Sequence, residues 1–196
     1  MSQTEAAPER AQRGARERIL GTAYDLFSTR GVRAVGIDEV IDKADVAKAT
    51  LYKHFRSKDD LVLAFLERRE QRWSLEWVEA EARRLGSTPE ERLLAIFDLF
   101  GEWFRRDDFE GCSFINVLLE MGRGHPAGQA CVSHLENIRS IVSRLAAEGG
   151  LRDPVAFSCS WHILMKGSIV SAAEGDVEAA ARAQEMAALL IEKHRP

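Results

Sequence analysis

The sequence predicts an all-α fold of about nine helices, with a small N-terminal three-helix unit ahead of a larger helical body. Three observations carry this. Apolar residues recur at three- and four-residue spacing along nearly the whole chain. Strand signals are almost absent: there is no sustained alternation, no Asn-Gly or Asp-Gly turn and little clustering of β-branched residues. Gly, Pro and Ser/Thr/Asp stand where helices are expected to start and stop. A chain of 196 residues holds one large domain, or a small one joined to a medium one.

In order, residues 1–12 read as a polar, flexible tail. A first helix runs from about residue 13 to Arg30, with Ile19, Ala23, Leu26 and Phe27 on one face and Gly31 as its stop. Two short helices follow near Ile37–Ala44 and Lys48–Phe55. Ser57 with Asp60 three residues later makes a capping-box-like start for a fourth helix that reaches towards Leu85, with Leu66, Trp73 and Trp77 on one stripe. Thr88-Pro89-Glu90-Glu91 opens the next, combining a Thr cap, Pro at the first position and Glu at the third. Shorter or longer helices are expected over 113–122, from Pro126 to Gly149-Gly150, from Asp153-Pro154, and over about 177–194.

The charge is unevenly placed. The whole chain carries −4, but between Arg10 and Lys58 eleven Lys/Arg face six Asp/Glu, a balance of +5 against −9 elsewhere. A basic N-terminal segment on an acidic body suggests an anionic partner at that end. Cys112, Cys131 and Cys159 are few, odd in number and far apart, as reduced thiols of a cytoplasmic protein would be. The start, MSQTEAAPERAQRG, has no apolar signal core, and no apolar run is long enough to span a bilayer, so no membrane partner is expected.

The informative stretch is Val35–Phe55, VGIDEVIDKADVAKATLYKHF. Two helices of under three turns cannot bury much alone and need a third to complete a small core. Val40, Ile41, Ala44, Val46 and Leu51 supply their share, against Phe27. The turn at Asp45 calls for a left-handed backbone, which Gly adopts most easily and Asp tolerates. The second helix then presents Ala47, Lys48, Thr50, Lys53 and His54. Small and basic side chains in this arrangement suit close approach to a DNA major groove.

From ARERIL…AYDLFSTRGV through IDEVIDKADVAKATLYKHF to RSKDDL, roughly residues 13–62, the sequence resembles the TetR family of bacterial transcriptional regulators. The resemblance implies a helix-turn-helix DNA-binding domain over 13–58 and a ligand-binding and dimerisation domain over 59–196. It implies that Tyr52 reaches a phosphate through its hydroxyl, and that Lys58 and the first N–H groups of its helix face another. Lys48, Thr50, Lys53 and His54 would lie on the groove side, with Ala47 and Ala49 permitting close approach. The chain departs from the family pattern at four places. Gly36 stands where Thr or Ser usually caps the second helix, so that phosphate contact must come from Arg33 or the Ile37 N–H. Ile41 replaces a common Ala, Asp45 the usual Gly and Ala47 a frequent Ser. Asp45 adds negative charge near DNA.

The resemblance further implies a homodimer on a palindromic operator, most simply a repressor, controlled by a small and largely apolar effector. The body holds all four tryptophans. Phe100, Trp103, Phe104, Phe114, Asn116, Met121, Trp161, His162 and Met165 are the candidate ligand residues, with Glu120 and His125 as further polar groups; plain core packing is the competing reading of each aromatic. Phe157, Trp161, Leu164 and Ser168, with Ala187, Leu190 and Ile191 of the last helix, are the candidate dimer interface, since small residues let helices approach closely; burial of these faces within one chain competes with it. Glu110–Asn116 resembles a segment of a subset of these regulators, and Cys112 there reads either as a redox or electrophile sensor or as a buried structural thiol.

Other classes find less support. Cys131 and His134 have helical metal spacing but no further ligands, and Ser158, Ser160 and His162 lack an acid partner. No nucleophile-elbow or phosphate-loop glycine pattern occurs. Neither catalysis nor a cofactor nor a metal is expected. The alternative is a helical dimeric ligand-binding or scaffold protein that does not bind DNA.

Overall fold

The computed structural model describes the backbone of residues 7–196, with side chains from residue 14 onward apart from Leu75. Every regular element among these residues is helical: α1 (Ala7–Arg30), α2 (Ile37–Ala44), α3 (Lys48–His54), α4 (Lys58–Arg69), a π-helical stretch (Glu70–Glu79), α5 (Ala80–Leu85), α6 (Pro89–Phe104), α7 (Ser113–Met121), α8 (Pro126–Glu148), α9 (Pro154–Ala173) and α10 (Ala179–His194). Residues 58–85 are helical without a break in the chain, so the described residues make nine helical stretches, as the periodicity predicts. Of the expected tail, residues 1–6 lie outside the described residues and 7–12 belong to α1. No described helix is long and apolar enough to cross a membrane.

The chain divides into two compact units. One holds the described residues up to Arg68 together with Ser113–Cys131; the other holds Arg69–Cys112 and Val132–Pro196. The expected boundary at residues 58/59 therefore differs from the division by contact, which keeps α4 and α7 with α1–α3. The reason lies in α4's inner face: Leu61, Val62, Phe65 and Leu66 are all fully buried. Phe65 meets Phe27 edge-on at 5.6 Å and Tyr24 at 5.4 Å. At the exposed edge Arg68 Nη1 donates to Glu17 Oε1 at 2.7 Å.

Within this first unit α2 and α3 pack on α1 and on each other. Ile19, Ala23, Phe27, Val35, Val40, Leu51 and Phe55 fill their common core. Asp45 ends α2 at φ 50, ψ 59, in the left-handed region its position requires. The Val46 N–H donates to Ile41 O and the Asp45 N–H to Asp42 O, both at 3.3 Å. This is the paired 6→1 and 5→2 closure that satisfies the last carbonyls of a helix before a sharp turn.

The second unit is built on α6, which packs against α5, α9 and α10. Thr88 caps α6 as the sequence indicates: its hydroxyl accepts from the Glu91 N–H at 3.2 Å, and the Glu91 carboxylate accepts from the Thr88 N–H at 2.9 Å. Asp153 caps α9 by accepting from the Ala156 N–H at 3.1 Å. The Arg152 N–H donates to His194 O at 2.7 Å, tying the start of α9 to the end of α10. The π-helical stretch is not foreshadowed by the sequence. Its wider turn closes with i→i+5 bonds and puts Trp73, Ser74 and Val78 together in the core. Glu70, at its start, binds α8 by accepting from Asn137 and meeting His134, each at 2.8 Å.

The geometry at Asp45 makes a prediction. An L-residue costs about 1 kcal/mol in the left-handed region, less for Asp than for most. Asp45→Gly is expected to raise unfolding stability by up to about 1 kcal/mol, and Asp45→Val to lower it by at least about as much. Urea denaturation of both variants is the check.

Candidate functional site

The sequence makes α3 short and two-faced. Leu51 is fully buried and Phe55, just past the helix, is nearly so. These two anchors fix the rotation of the helix and turn Ala47, Lys48, Tyr52 and Lys53 outward, all exposed, with Thr50 and His54 half-buried beside them. Arg16 of α1 lies over the Phe55 ring, 5.2 Å from its centroid, and steadies the end of α3 from outside. Lys48 Nζ pairs with Asp38 Oδ1 at 3.2 Å, both side chains largely exposed. Such a pair is worth at most about 1 kcal/mol, so the lysine is held without being committed.

α2 enters through Gly36, whose backbone is extended and which has no side chain to cap the helix. A Cβ there would meet nothing within 4 Å, so the missing hydroxyl reflects composition and not lack of room. At the start of α4, Ser57 Oγ accepts from the Asp60 N–H and Asp60 Oδ2 accepts from the Arg56 N–H, both at 3.1 Å. The capping box is thus displaced by one residue from its usual reciprocal form. Lys58 is the first residue of α4 and half-buried.

Arg33 is exposed in the α1–α2 turn, but its backbone has a partner that sequence reasoning missed. The Arg33 N–H donates to Glu120 Oε2 of α7 at 3.0 Å. Gly31, in the same turn, has φ +80, and a Cβ on it would lie 2.1 Å from Glu120 Oε1. The carboxylate therefore sits in a concavity that only glycine leaves open. His125, in the α7–α8 turn, meets Asp59 of α4 at 3.4 Å. Glu120 and His125, expected among the polar groups of a ligand site, join α7 and its following turn to the α1–α2 turn and to α4. No local sequence signal announces these contacts.

The remaining candidate ligand residues divide between the two units. Asn116 is exposed, Met121 half-buried and Phe114 buried, all within the first unit. Phe100, Trp103, Phe104, Trp161, His162 and Met165 are buried in the second unit. There the rings pack on one another: Phe100 on Trp103 and Phe104 at 5.7 Å, and Trp161 on Phe97 at 5.2 Å and Phe157 at 5.3 Å. A cavity of about 10 Å³ lies beside them, lined by Trp73, Ser74, Ile138 and Met165 among others, so that Met165 is where expectation and cavity meet.

Phe157, Trp161, Ser168, Ala187 and Ile191, expected at a dimer interface, are buried inside the single chain, on the faces of α9 and α10 turned to their own neighbours. Leu164 and Leu190 are half-buried. The outward faces of the same helices carry Val155, Ile163, Val170, Met186 and Leu189, each about half to nearly three-quarters exposed.

Two short helices joined by a left-handed turn, the second anchored by Leu51 and Phe55 and presenting small and basic side chains, define a helix-turn-helix head on an all-α chain. The comparisons agree. Residues 19–65 match the family model described as bacterial regulatory proteins, tetR family. The transcriptional activator FasR of Mycolicibacterium smegmatis is 36% identical over 92 residues, 47% of this chain and 41% of that protein. The transcriptional repressor KstR of the same species is 38% identical over 96 residues, again 47% of this chain and 44% of its own. The chain thus spans less than half of these curated relatives. In fold it follows the crystal structure of SCO4454, a TetR-family transcriptional regulator from Streptomyces coelicolor, with a TM-score of 0.83 and 28% identity over 93% of this chain and 96% of the other. Over residues 19–65 the chain is thus similar in sequence to the TetR family, and over most of its length it shares the fold of a TetR-family regulator.

The seat of Glu120 is testable. Gly31→Ala is expected to cost about 2 kcal/mol, from its positive φ and from the clash with the carboxylate. In a Glu120→Ala background the clash is gone, and the same substitution should cost roughly half as much. Equal penalties in the two backgrounds, measured by urea unfolding, would show that the carboxylate does not occupy that space.

Proposed function

We propose that this chain is a transcriptional regulator, acting as a repressor, that binds a palindromic DNA operator as a homodimer and is controlled by a small, largely apolar ligand. The observation that carries the reading is the outward face of α3: Ala47, Lys48, Tyr52 and Lys53 exposed on a helix that Leu51 and Phe55 pin from behind. Lys48 gives up a weak pair with Asp38 and donates to a guanine edge; Thr50 reads a neighbouring base through its hydroxyl or methyl. Tyr52 and Lys58 take phosphates on either side and set the register of α3 in the groove. The N–H groups of Lys58 and Asp59, at the positive end of α4, add to the Lys58 phosphate contact. Arg33 supplies the contact that Gly36 lacks.

Two such heads on one DNA require a dimer. The outward faces of α9 and α10 fit that role: Ile163 and Leu189 are 69% and 71% exposed in the single chain. Fully burying a side chain of this size contributes about 1.5–3 kcal/mol. Four of them across a two-fold axis supply an amount comparable to the 4–15 kcal/mol, roughly, that association costs in lost freedom. The ligand is read into the second unit, where Trp73 and aliphatic side chains with Met165 line a small cavity.

Lys58→Ala should weaken DNA binding across all sequences and lower the slope of log affinity against log salt by about one. Tyr52→Phe should weaken binding up to about tenfold with no change in sequence preference, whereas Lys48→Ala or Thr50→Ala should alter that preference. A Lys58→Ala protein with wild-type affinity and salt slope would contradict the assignment. For the dimer, Ile163→Glu combined with Leu189→Glu should give a monomer in analytical ultracentrifugation, with helical content retained and operator binding lost. A dimer persisting in that variant would place the seam elsewhere.

A further inference from the structure

Among the described residues of the second unit, Trp73 Nε1, Ser74 Oγ, Trp161 Nε1 and His162 Nδ1 are buried without a hydrogen-bond partner. Leaving such an atom unmet is costly, and native structures retain few without a reason. Trp73 and Ser74 line the small cavity, with Ile138 of α8 and Met165 of α9 on its other walls. His162 lies one turn before Met165 and is 3% exposed.

Beside these residues stand two cations. Lys166, one turn on from His162, is half-buried and makes no ion pair with any described carboxylate. Arg139 follows Ile138 on α8. It pairs with Glu136 at 3.4 Å, an exposed contact between residues three apart, which leaves most of its donors free. The two cations and the imidazole feel one another. Burial, then the Lys166 and Arg139 charges, lowers the His162 pKa to about 3, so the ring is neutral at physiological pH. Burial, then Arg139, also lowers that of Lys166, with Cys112 and Cys159 acting in the opposite direction. A half-buried ammonium, a guanidinium and an unmet imidazole nitrogen, on the two helices whose Ile138 and Met165 line the cavity, lack one thing, a negative charge.

We propose that Lys166, Arg139 and His162 form an anion subsite and that the effector is an apolar monocarboxylate, with its carboxylate at Lys166 and His162 Nδ1 and its hydrocarbon body in the cavity walled by Trp73, Ser74, Ile138 and Met165. This rests on the reading that the second unit binds a ligand, and it fixes the chemical class of that ligand. The carboxylate selects the His162 tautomer that carries its proton on Nδ1, and accepts from it. The cavity has room for about one water, so the hydrocarbon body enters by displacing its walls. Met165, unbranched and flexible, is the side chain best able to yield.

The test uses the full chain with decanoate and 1-decanol as probes, followed by tryptophan fluorescence, since Trp73 forms part of the wall. Decanoate should bind saturably and roughly tenfold more tightly than decanol, the difference a charge-assisted contact makes. Lys166→Met should abolish that preference while leaving decanol affinity unchanged, which also shows that the variant is folded. Lys166→Arg should keep most of the preference. Cys112→Ser removes a thiol that acts on Lys166, and should keep it too. If decanol binds as tightly as decanoate, or if Lys166→Met leaves the preference intact, the anion subsite is wrong while ligand binding by this unit stands. If neither probe binds, the ligand reading falls together with it.

Discussion

Phe65, set edge-on against Phe27 and Tyr24, is the contact on which the head depends. Neither α2 nor α3 is long enough to hold a core, and both borrow α1 as their support. α1 in turn is fixed by the inner face of α4, where Phe65 is fully buried between the two helices. An edge-to-face aromatic pair contributes about 0.5–1.5 kcal/mol beyond the area it buries. Here its larger effect is positional. It sets α1 against α4, and so sets α3, which leans on α1 and carries Tyr52, against Lys58 at the start of α4; Tyr52 and Lys58 are the two proposed phosphate contacts. DNA recognition by so small a unit is a matter of holding side chains in register, and the register is kept by residues that never face DNA.

The same unit is closed from another side by α7. Glu120 takes the Arg33 N–H and fills the space that Gly31 leaves open, and His125 meets Asp59 at the start of α4. Backbone groups of the α1–α2 turn and the first turn of α4 are thus tied to one distant stretch of sequence. The second unit has a different character. Its aromatic rings are closely stacked, yet it keeps several polar atoms buried without partners and a ten-residue π-helical wall. π-helical turns are rare and recur at functional sites. A close-packed core that leaves donors unmet beside a cavity is better suited to receiving a ligand than to maximal stability.

What was legible in the sequence is what short-range chemistry decides. Asp45 had to turn left-handed because a two-helix corner allows little else, and Thr88 with Glu91 had to cap because both orphan N–H groups lie within reach. Leu51 was readable as part of the small core from its place in the second short helix. The rest depends on partners far along the chain. Nothing around Glu120 marks it as the seat of a turn nearly ninety residues earlier, and a helix with apolar residues on both faces does not say which face its own chain will cover. Trp161 and Phe157 went inward and Ile163 stayed out because α6 and α10 were there to meet the first pair. The π-helical stretch has no signature in EQRWSLEWVE that periodicity detects.

The central claim is that two identical heads of this kind read one DNA together. Selection of bound sequences from a random DNA pool by the full-length protein tests it most directly. The account predicts an inverted repeat whose half-site centres lie about 34–36 Å apart, or at a multiple of that spacing. Enrichment of a single half-site, of a direct repeat, or of no sequence at all would contradict it.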